Sequence, residues 1–230
     1  MPMVFTNRPV LNPDGSVPGS YYDEDYWERG AESGKGSYNS NDYSTQLPLC
    51  QHWARDTFER WGPFKTYLEL GCGRGWAIWG FLALPELGVE PLGVDISSYA
   101  IHTTLDWIRP YLVEHDASDL SFLADRSADL IFSNDFMEHL TPAQAERCLR
   151  ECARIAKKRI VHLISIADGA DLPDGQVPPD QDQSHVNLKS TAWWAALFAK
   201  VFGPDLQTGW KVYFLDHGRT IEMDVRRVDG

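Results

Sequence analysis

The stretch YLELGCGRGWAIWGF, residues 67–81, decides the fold, because an apolar segment gives way to closely spaced glycines and then resumes. Gly71, Gly73 and Gly75 follow directly on a run that is typical of a buried strand. Glycine adopts backbone conformations that other residues avoid, and it lets a second molecule approach the main chain. The stretch therefore predicts either a tight turn and nothing more, or a turn stripped of side chains so that a ligand can lie against it.

Strand-like and helix-like segments alternate around this turn. Apolar spacing predicts helices over 46–61, from about Gly75, near 98–108, after Thr141 and after Ser190, and Thr141 with Gln144 forms a capping box. Strands are predicted at 66–70, 91–95, 111–116, 128–134 and 159–166, and residues 210–228 are interpreted as two closing strands. The alternation favours an α/β fold with a doubly wound, mostly parallel seven-stranded sheet and a C-terminal antiparallel strand pair.

Two regions differ in composition. Residues 46–230 are interpreted as a single domain, whereas residues 1–45 are irregular and rich in Asn, Gly, Ser and Pro. This N-terminal segment nevertheless contains aromatic residues that a disordered tail seldom has, since disorder depends on having little to bury. We therefore expect an N-terminal aromatic arm that packs on the domain and serves as a lid, with a partly ordered tail as the alternative. The aromatic residues are Tyr21, Tyr22, Tyr26, Trp27, Tyr38 and Tyr43.

Charge and composition make some function classes improbable. The chain has 230 residues, with 21 Lys and Arg against 33 Asp and Glu, and a formal net charge of −12. This balance argues against the broad positive face that nucleic acid or an anionic membrane surface requires, although a local basic patch is compatible with it. The 4 cysteines form no CxxC pair, no signal peptide is recognisable, and no apolar run approaches the ~20 residues of a membrane span. We expect a cytoplasmic protein that binds neither nucleic acid nor membrane.

The end of the next predicted strand supplies a second feature of a nucleotide site. Ligands of parallel α/β sheets bind beyond the carboxyl ends of the strands, and the turn after the first strand is the favoured place. Asp95 ends the second predicted strand, where a carboxylate accepts hydrogen bonds from the hydroxyls of a ribose. A nicotinamide-dependent enzyme and an S-adenosylmethionine (SAM) enzyme both fit these features. A structural turn, with Asp95 as a helix cap, fits them too.

Four ordered motifs resemble the class I SAM-dependent methyltransferases. They are ELGCGRG (69–75), GVDIS (93–97), HDASDL (115–120) and ADLIFSNDFMEHL (128–140). The glycine turn follows the ExGxGxG pattern of that family, whereas dehydrogenases usually have GxGxxG. The resemblance implies a Rossmann-like fold, SAM as the cofactor and S-adenosylhomocysteine (SAH) as the product. Within the family, the chain is similar to bacterial members that act on small molecules such as sugars and natural products.

The resemblance implies contacts with the methionine portion of SAM at the glycine turn. Gly71, Cys72 and Gly73 would lie against this portion, and Glu69 would be oriented towards its amino end. Asn134, at the end of the fourth predicted strand, would line the pocket nearby.

The resemblance also implies contacts with the adenosine portion. Asp95 would bind the ribose hydroxyls, and Ile96 would pack on the adenine. Asp116 and the backbone of Ala117 would contact the adenine amino edge. Each has a structural alternative, since Ile96 could be ordinary core and Asp116 could cap a following helix.

Three residues are candidates for work on the acceptor. Methyl transfer is an in-line displacement, so the protein mainly aligns the reactants and, for a hydroxyl acceptor, removes a proton. His139 matches a histidine that is frequent in small-molecule members of the family, and His185 resembles a histidine-asparagine signature of the sugar and natural-product members. The pKa of histidine suits a base near neutral pH. Asp135 is a further candidate for the base or a substrate contact, and a structural role is the alternative for each histidine.

These arguments favour a small-molecule acceptor that is methylated on a hydroxyl oxygen. The segment after the fourth strand is SNDF (133–136), unlike the NPPY or DPPY of amino-group DNA methyltransferases. The alternatives are a protein or RNA acceptor, a nicotinamide-dependent oxidoreductase or epimerase, and a catalytically silent SAM-binding subunit that serves a partner. Either a monomer or a homodimer is expected.

An acidic loop precedes the last helix. Oxygen-rich loops suit divalent cations, but the spacing here matches no known metal-binding pattern. The loop is therefore interpreted as a mobile, solvated lid, and no metal ligand is predicted. Its acidic residues are Asp168, Asp171, Asp174, Asp180 and Asp182.

Overall fold

All seven predicted strands are present in the computed structural model, and they form one sheet in the order β3-β2-β1-β4-β5-β7-β6. The structure describes residues 7–35, 47–167, 182–203, 209–217 and 220–228. Strands β1 to β5 pair in parallel, and β7 is antiparallel to both β5 and β6. The predicted fold class is confirmed. The strands are β1 (Thr66–Leu70), β2 (Glu90–Asp95), β3 (Leu112–Glu114), β4 (Ala128–Asn134), β5 (Ala156–Ser165), β6 (Trp210–Asp216) and β7 (Thr220–Arg227).

The sheet order reverses between β1 and β4. Strand β1 has β2 on one side and β4 on the other, although β2 and β4 are connected in the chain through β3. Such a switch point opens a crevice at the carboxyl ends of the strands. The glycine turn follows β1, and Asp95 and Asn134 end β2 and β4. The topology thus brings three of the predicted motifs to one place.

Helices cover both faces of the sheet because alternate strand residues point to opposite sides. Tyr67 and Phe132 pack with residues of α2 and α3 on one face. Leu68 and Ile131 pack with residues of α5 and α6 on the other. The helices are α1 (Glu24–Ser33), α2 (Leu47–Trp61), α3 (Trp76–Leu82), α4 (Ser98–Thr103), α5 (Pro142–Ile155) and α6 (Thr191–Phe202).

The predicted helix caps are confirmed. The hydroxyl of Thr141 accepts a hydrogen bond from Gln144 N, and Gln144 Oε1 accepts one from Thr141 N. Ser190 accepts from Trp193 N at the start of α6. Each cap satisfies backbone N–H groups that the first helical turn leaves without partners.

Two predicted elements are shorter in the structure. Helix α4 ends at Thr103 and not near residue 108, because Thr104 is extended and its buried hydroxyl donates to Arg74 O at 2.6 Å. Strand β3 ends at Glu114, because the Asp116 carboxylate accepts from Ser118 N at 2.7 Å and folds the chain into a turn. Asp116 therefore caps a turn and not a helix.

The described part of the N-terminal arm, residues 7–35, packs across the carboxyl edge of the sheet. Val17, Tyr21, Tyr22 and Tyr26 form a buried cluster, in which the rings of Tyr22 and Tyr26 meet edge to face at 4.9 Å. Asp23 caps α1 by accepting from Tyr26 N. Two further aromatic residues of the arm, Tyr38 and Tyr43, lie outside the described residues. None of the described helices combines the length and the apolar character that a membrane crossing requires.

Candidate functional site

The glycine turn has left-handed backbone geometry and is covered by aromatic rings. Gly71, Gly73 and Gly75 have φ of +68°, +53° and +78°. A Cβ at Gly73 would lie 2.8 Å from Cη2 of Trp27, a residue of the arm. The turn therefore requires glycine for its own conformation and packing. These properties fit both a structural turn and a ligand site. The cavities beside the turn distinguish the two.

Asp95 braces the turn through both of its carboxylate oxygens. Oδ2 accepts from Gly73 N at 2.7 Å, and Oδ1 accepts from Ser97 N at 2.8 Å. Ser97, not Asp95, caps α4. Burial raises the pKa of Asp95, although its backbone hydrogen bonds act in the opposite direction. Each carboxylate oxygen has a second lone pair, so the brace leaves capacity for hydroxyl donors.

A first cavity, of about 90 Å³, lies beside Asp95. The arm forms one wall with Tyr22, Tyr26 and Trp27. Ile96 is 36% exposed there, which fits a surface for a ring and not ordinary core. The predicted site residues on its walls are Gly71, Asp95, Ile96, Asp116, Ala117, Asn134, Asp135 and His139.

A second cavity, of about 340 Å³, lies against the glycine turn and shares Trp27, Gly71 and Asn134 with the first. Glu69 lines it and is 8% exposed. Oε2 of Glu69 is buried and accepts no hydrogen bond from the described part of the chain. Burial, and then the nearby charge of Asp95, raise the pKa of Glu69. The other predicted residues on its walls are Cys72 and Gly73.

Two histidines and one aspartate form a group beside the first cavity, and His139 is the member that lines it. The rings of His139 and His185 are 4.5 Å apart between centroids. One ligand atom from each histidine and a carboxylate oxygen of Asp182 all lie within 4.8 Å of one another. We call these three residues the His-Asp cluster. Burial opposes ionisation of Asp182, but the two histidines, with hydrogen bonds from Ser184 and Tyr26, lower its pKa.

The arm and a serine hold this cluster in place. Tyr26 OH donates to Asp182 Oδ2 at 2.7 Å, and Ser184 Oγ donates to Asp182 Oδ1. Ser184 Oγ also lies 2.9 Å from His139 Nδ1. The single hydroxyl proton of Ser184 goes to the carboxylate, which only accepts, so His139 Nδ1 donates to Ser184. The lone pair of neutral His139 is then on Nε2.

Residues 68–163 match the protein family described as "Methyltransferase domain". The match contains all four motifs, from the glycine turn to the end of SNDFMEHL. Residues 68–163 form a methyltransferase domain. The resemblance to class I SAM-dependent methyltransferases is confirmed.

Solved structures share the fold of this methyltransferase. An O-methyltransferase family protein from Burkholderia thailandensis has a TM-score of 0.56 at 17% identity, over 81% of this chain and 58% of that chain. A SAM-dependent methyltransferase from Archaeoglobus fulgidus has 0.57 at 19% identity, over 79% and 94%. The plantazolicin methyltransferase BpumL, in complex with a monoazolic desmethylPZN analog and SAH, has 0.56 at 12% identity, over 80% and 84%. At these identities the likeness shows the fold alone. Comparison with the curated proteins finds no match.

The methyltransferase fold brings the sequence-predicted residues together, with one exception. His185 does not line either cavity, but its ring packs against His139, which does. Asp135 has φ of +47° and accepts from Ser165 Oγ at 3.0 Å, and Asn134 donates to Asp135. Four aspartates of the acidic loop, Asp168, Asp171, Asp174 and Asp180, lie outside the described residues.

Sequence reasoning missed several residues of the site. The sequence marks Tyr22 and Tyr26 only as aromatic residues. In the structure the Tyr22 hydroxyl lies beside His139, and the Tyr26 hydroxyl lies beside Asp182. Asp182 was grouped with the acidic loop, although it stands three residues before His185, a spacing that could have marked it. Glu138 is fully buried, and burial raises its pKa to about 7. No pattern in the sequence distinguished it from a surface glutamate.

Proposed function

We propose that this protein binds SAM across the two cavities and transfers its methyl group to a hydroxyl oxygen of a small molecule. The observation that supports it is a pair of buried carboxylates on neighbouring strands, one in each cavity. Glu69 and Asp95 are 8% and 9% exposed. Burying the Glu69 oxygen that accepts no hydrogen bond from the described residues is costly, and Asp95 keeps free lone pairs, so a cationic, hydroxyl-bearing ligand suits this cleft.

The residues in the two cavities suit both the methionine portion and the adenosine portion of SAM. The orphaned oxygen of Glu69 suits the ammonium group of the methionine portion. Asp95 keeps lone pairs for the ribose hydroxyls, and exposed Ile96, with Asp116 and the backbone of Ala117, suits the adenine. Gly71, Cys72, Gly73 and Asn134 line the space between. SAM supplies an activated methyl group on a sulfonium.

The His-Asp cluster and Asp135 suit the acceptor side. A hydroxyl oxygen that attacks the methyl carbon must lose its proton as the carbon–sulfur bond breaks. His139 lines the first cavity, and His185 and Asp182 pack beside it. His139 is therefore proposed as the base, with His185 in support and Asp135 as a substrate contact. The O-methyltransferase family name of the Burkholderia protein agrees with transfer to oxygen, and BpumL is a structural neighbour that binds a monoazolic desmethylPZN analog together with SAH.

The arm is proposed as the lid of the site. Trp27 lies on Gly73 and borders both cavities, and Glu28 forms an ion pair with Arg74 in the glycine turn. The first cavity, at about 90 Å³, is well below the roughly 300–1,000 Å³ of small-molecule sites. Displacement of the arm would enlarge it, and its return would exclude water during transfer.

A thermal-shift comparison of SAM, SAH and NAD tests the cofactor. A ligand at ~100 times its Kd adds about 2.7 kcal/mol of stability, and we expect this from SAM and SAH but not from NAD. Stabilisation by NAD, or by none of the three, would overturn the proposal.

The acceptor requires a separate assay. Radiolabelled methyl from SAM should appear in the low-molecular-weight fraction of a cell lysate. The labelled product should be a methyl ether. Label in the protein or RNA fraction would show that the acceptor is a macromolecule. The assignment of SAM as the cofactor would still hold. A protein that binds SAM but labels nothing would match the catalytically silent alternative.

A further inference from the structure

We propose that His139, Asp182 and His185 bind one divalent transition-metal cation at the acceptor side of the cleft. The three residues come from two distant segments, the 3-10 turn Met137–His139 after β4 and the segment 182–185 before α6. Their ligand atoms lie within 4.8 Å of one another. Two imidazoles with one carboxylate are a ligand set that recurs in metal sites with open coordination positions.

The spacing suits a site that contracts on metal binding. Tetrahedral ligands at about 2.1 Å from a cation are roughly 3.4 Å apart. The side chains therefore need to approach by at most about 1.4 Å, which rotation of the side chains supplies. The neighbouring rings of His139 and His185 are inclined at 76°, so their nitrogen lone pairs can converge without stacking of the rings.

Hydrogen bonds from neighbouring groups already orient the side chains of the proposed ligands. Tyr26 OH and the backbone N of Ser184 donate to different oxygens of Asp182, at 2.7 and 2.9 Å. Ser184 Oγ accepts from His139 Nδ1, which places the lone pair of His139 on Nε2. In metal sites a ligand histidine almost always donates from its other ring nitrogen in this way, which fixes the tautomer and the ring orientation.

The donor set selects the kind of cation. Imidazole nitrogens suit Zn²⁺ and Fe²⁺, whereas Mg²⁺ and Ca²⁺ favour sites built from oxygen. Three protein ligands leave at least one coordination position for another molecule. His139 lines the first cavity, so a molecule in that cavity is next to this position.

A cation here would alter how the acceptor loses its proton. The catalytic role rests on the proposed function, whereas the binding of the cation does not. A bound cation would lower the pKa of a hydroxyl that coordinates it, as it does for bound water, and so would favour loss of the proton. Its proton passes to solvent, the oxygen forms a bond to the methyl carbon, and the carbon–sulfur bond breaks to give a methyl ether and SAH. His139 and His185 then act as ligands, and the cation replaces a free imidazole base.

Titration of untagged, chelator-treated protein with Zn²⁺ by calorimetry tests the site. We expect one equivalent to bind, Mg²⁺ to bind far more weakly, and Zn²⁺ to raise the melting temperature. His185→Ala and Asp182→Asn should each weaken binding by a hundredfold or more. The control His52→Ala removes an exposed histidine of α2 and should bind as the wild type does. Tyr26→Phe keeps all three ligands and should weaken binding by ~10–100-fold.

The outcomes separate this proposal from the proposed function. A wild-type protein that binds no Zn²⁺, or binds it equally in the His185 and Asp182 variants, overturns the metal site, even if methyl transfer proceeds. If circular dichroism shows that these variants do not fold, the Tyr26→Phe titration decides, and unchanged affinity there overturns the site. Zn²⁺ binding without SAM binding supports the site and overturns the proposed function.

Discussion

The two halves of the cleft are built in different ways. The half beside the glycine turn uses residues that are close in sequence or lie on adjacent strands, and much of its geometry comes from the backbone, as in the contact of Gly73 N with Asp95. The half around the His-Asp cluster uses side chains from distant segments, such as Tyr26 and Asp182, which are 156 positions apart. A donor site shared by a family suits the first construction, and an acceptor site that changes with the substrate suits the second. Substitutions should therefore separate the two halves.

The largest separation is expected from the histidines. His139→Ala and His185→Ala should lower kcat by ~10²–10⁴, because each removes a group that assists loss of the acceptor proton. The affinity for SAM, measured by calorimetry, should stay close to that of the wild type. His52→Ala is the matched control. If turnover is unchanged in both variants, neither histidine assists methyl transfer, and the two halves of the cleft do not differ in function as proposed.

The converse effect is expected from Asp95. Asp95→Ala removes the proposed acceptor of the ribose hydrogen bonds and the brace on Gly73, so SAM binding should weaken by about 1.5–3 kcal/mol, as for hydrogen bonds to a charged group. The control Asp119→Ala removes an exposed aspartate that makes a comparable turn with Ser121 N. At saturating SAM, kcat of Asp95→Ala should recover most of its value. A loss of kcat at full occupancy would show that the halves are not independent.

The affinity for SAM should depend on pH because of Glu69. Its pKa in the free protein is raised by burial and then by Asp95, and a neighbouring cation favours the ionised form. SAM binding should therefore release protons, and affinity should rise with pH through the raised pKa, by at most about tenfold per unit. The measurement is calorimetry in two buffers of different ionisation enthalpy between about pH 5 and 7, where the α-amino group of SAM stays protonated.

Glu69→Gln provides the control, since it has no proton to release and its SAM binding should lose this pH dependence. Proton uptake by the wild-type protein on binding SAM would contradict the placement of the ammonium group at Glu69.

The smallest effect is expected at Ser97, which joins the arm to the domain. Its buried hydroxyl accepts from Trp27 Nε1 at 3.0 Å, donates to Tyr22 O at 2.6 Å and caps α4. Ser97→Ala should lower the free energy of unfolding by about 1–2 kcal/mol and increase proteolysis of the arm. Ser98→Ala, at an exposed neighbour, is the control. If the two variants behave alike, Ser97 does not anchor the arm.

The sequence allowed prediction of the sheet, because strands and helix caps depend on short-range patterns, whereas the roles of the residues beside the glycine turn follow only from the resemblance to the methyltransferases. Strand periodicity and the capping box at Thr141 are local, and the end of β2 is marked by Asp95. The length of α4 was predicted wrongly, since it depends on a hydrogen bond between Thr104 and Arg74, 30 positions apart. The grouping of His139 with Asp182 and the arm hydroxyls was not predictable for the same reason, because only the fold brings them together.

The arm has a kinetic consequence through the spacing of its aromatic residues. Tyr22, Tyr26 and Trp27 are nearly consecutive, yet they contact His139, Asp182 and Gly73 respectively. A displacement that uncovers Gly73 also withdraws the tyrosine hydroxyls from the far end of the cleft. If the arm opens and closes as the proposed lid, entry of the donor is coupled to assembly of the acceptor pocket, and we expect an ordered reaction in which SAM binds first and SAH leaves last.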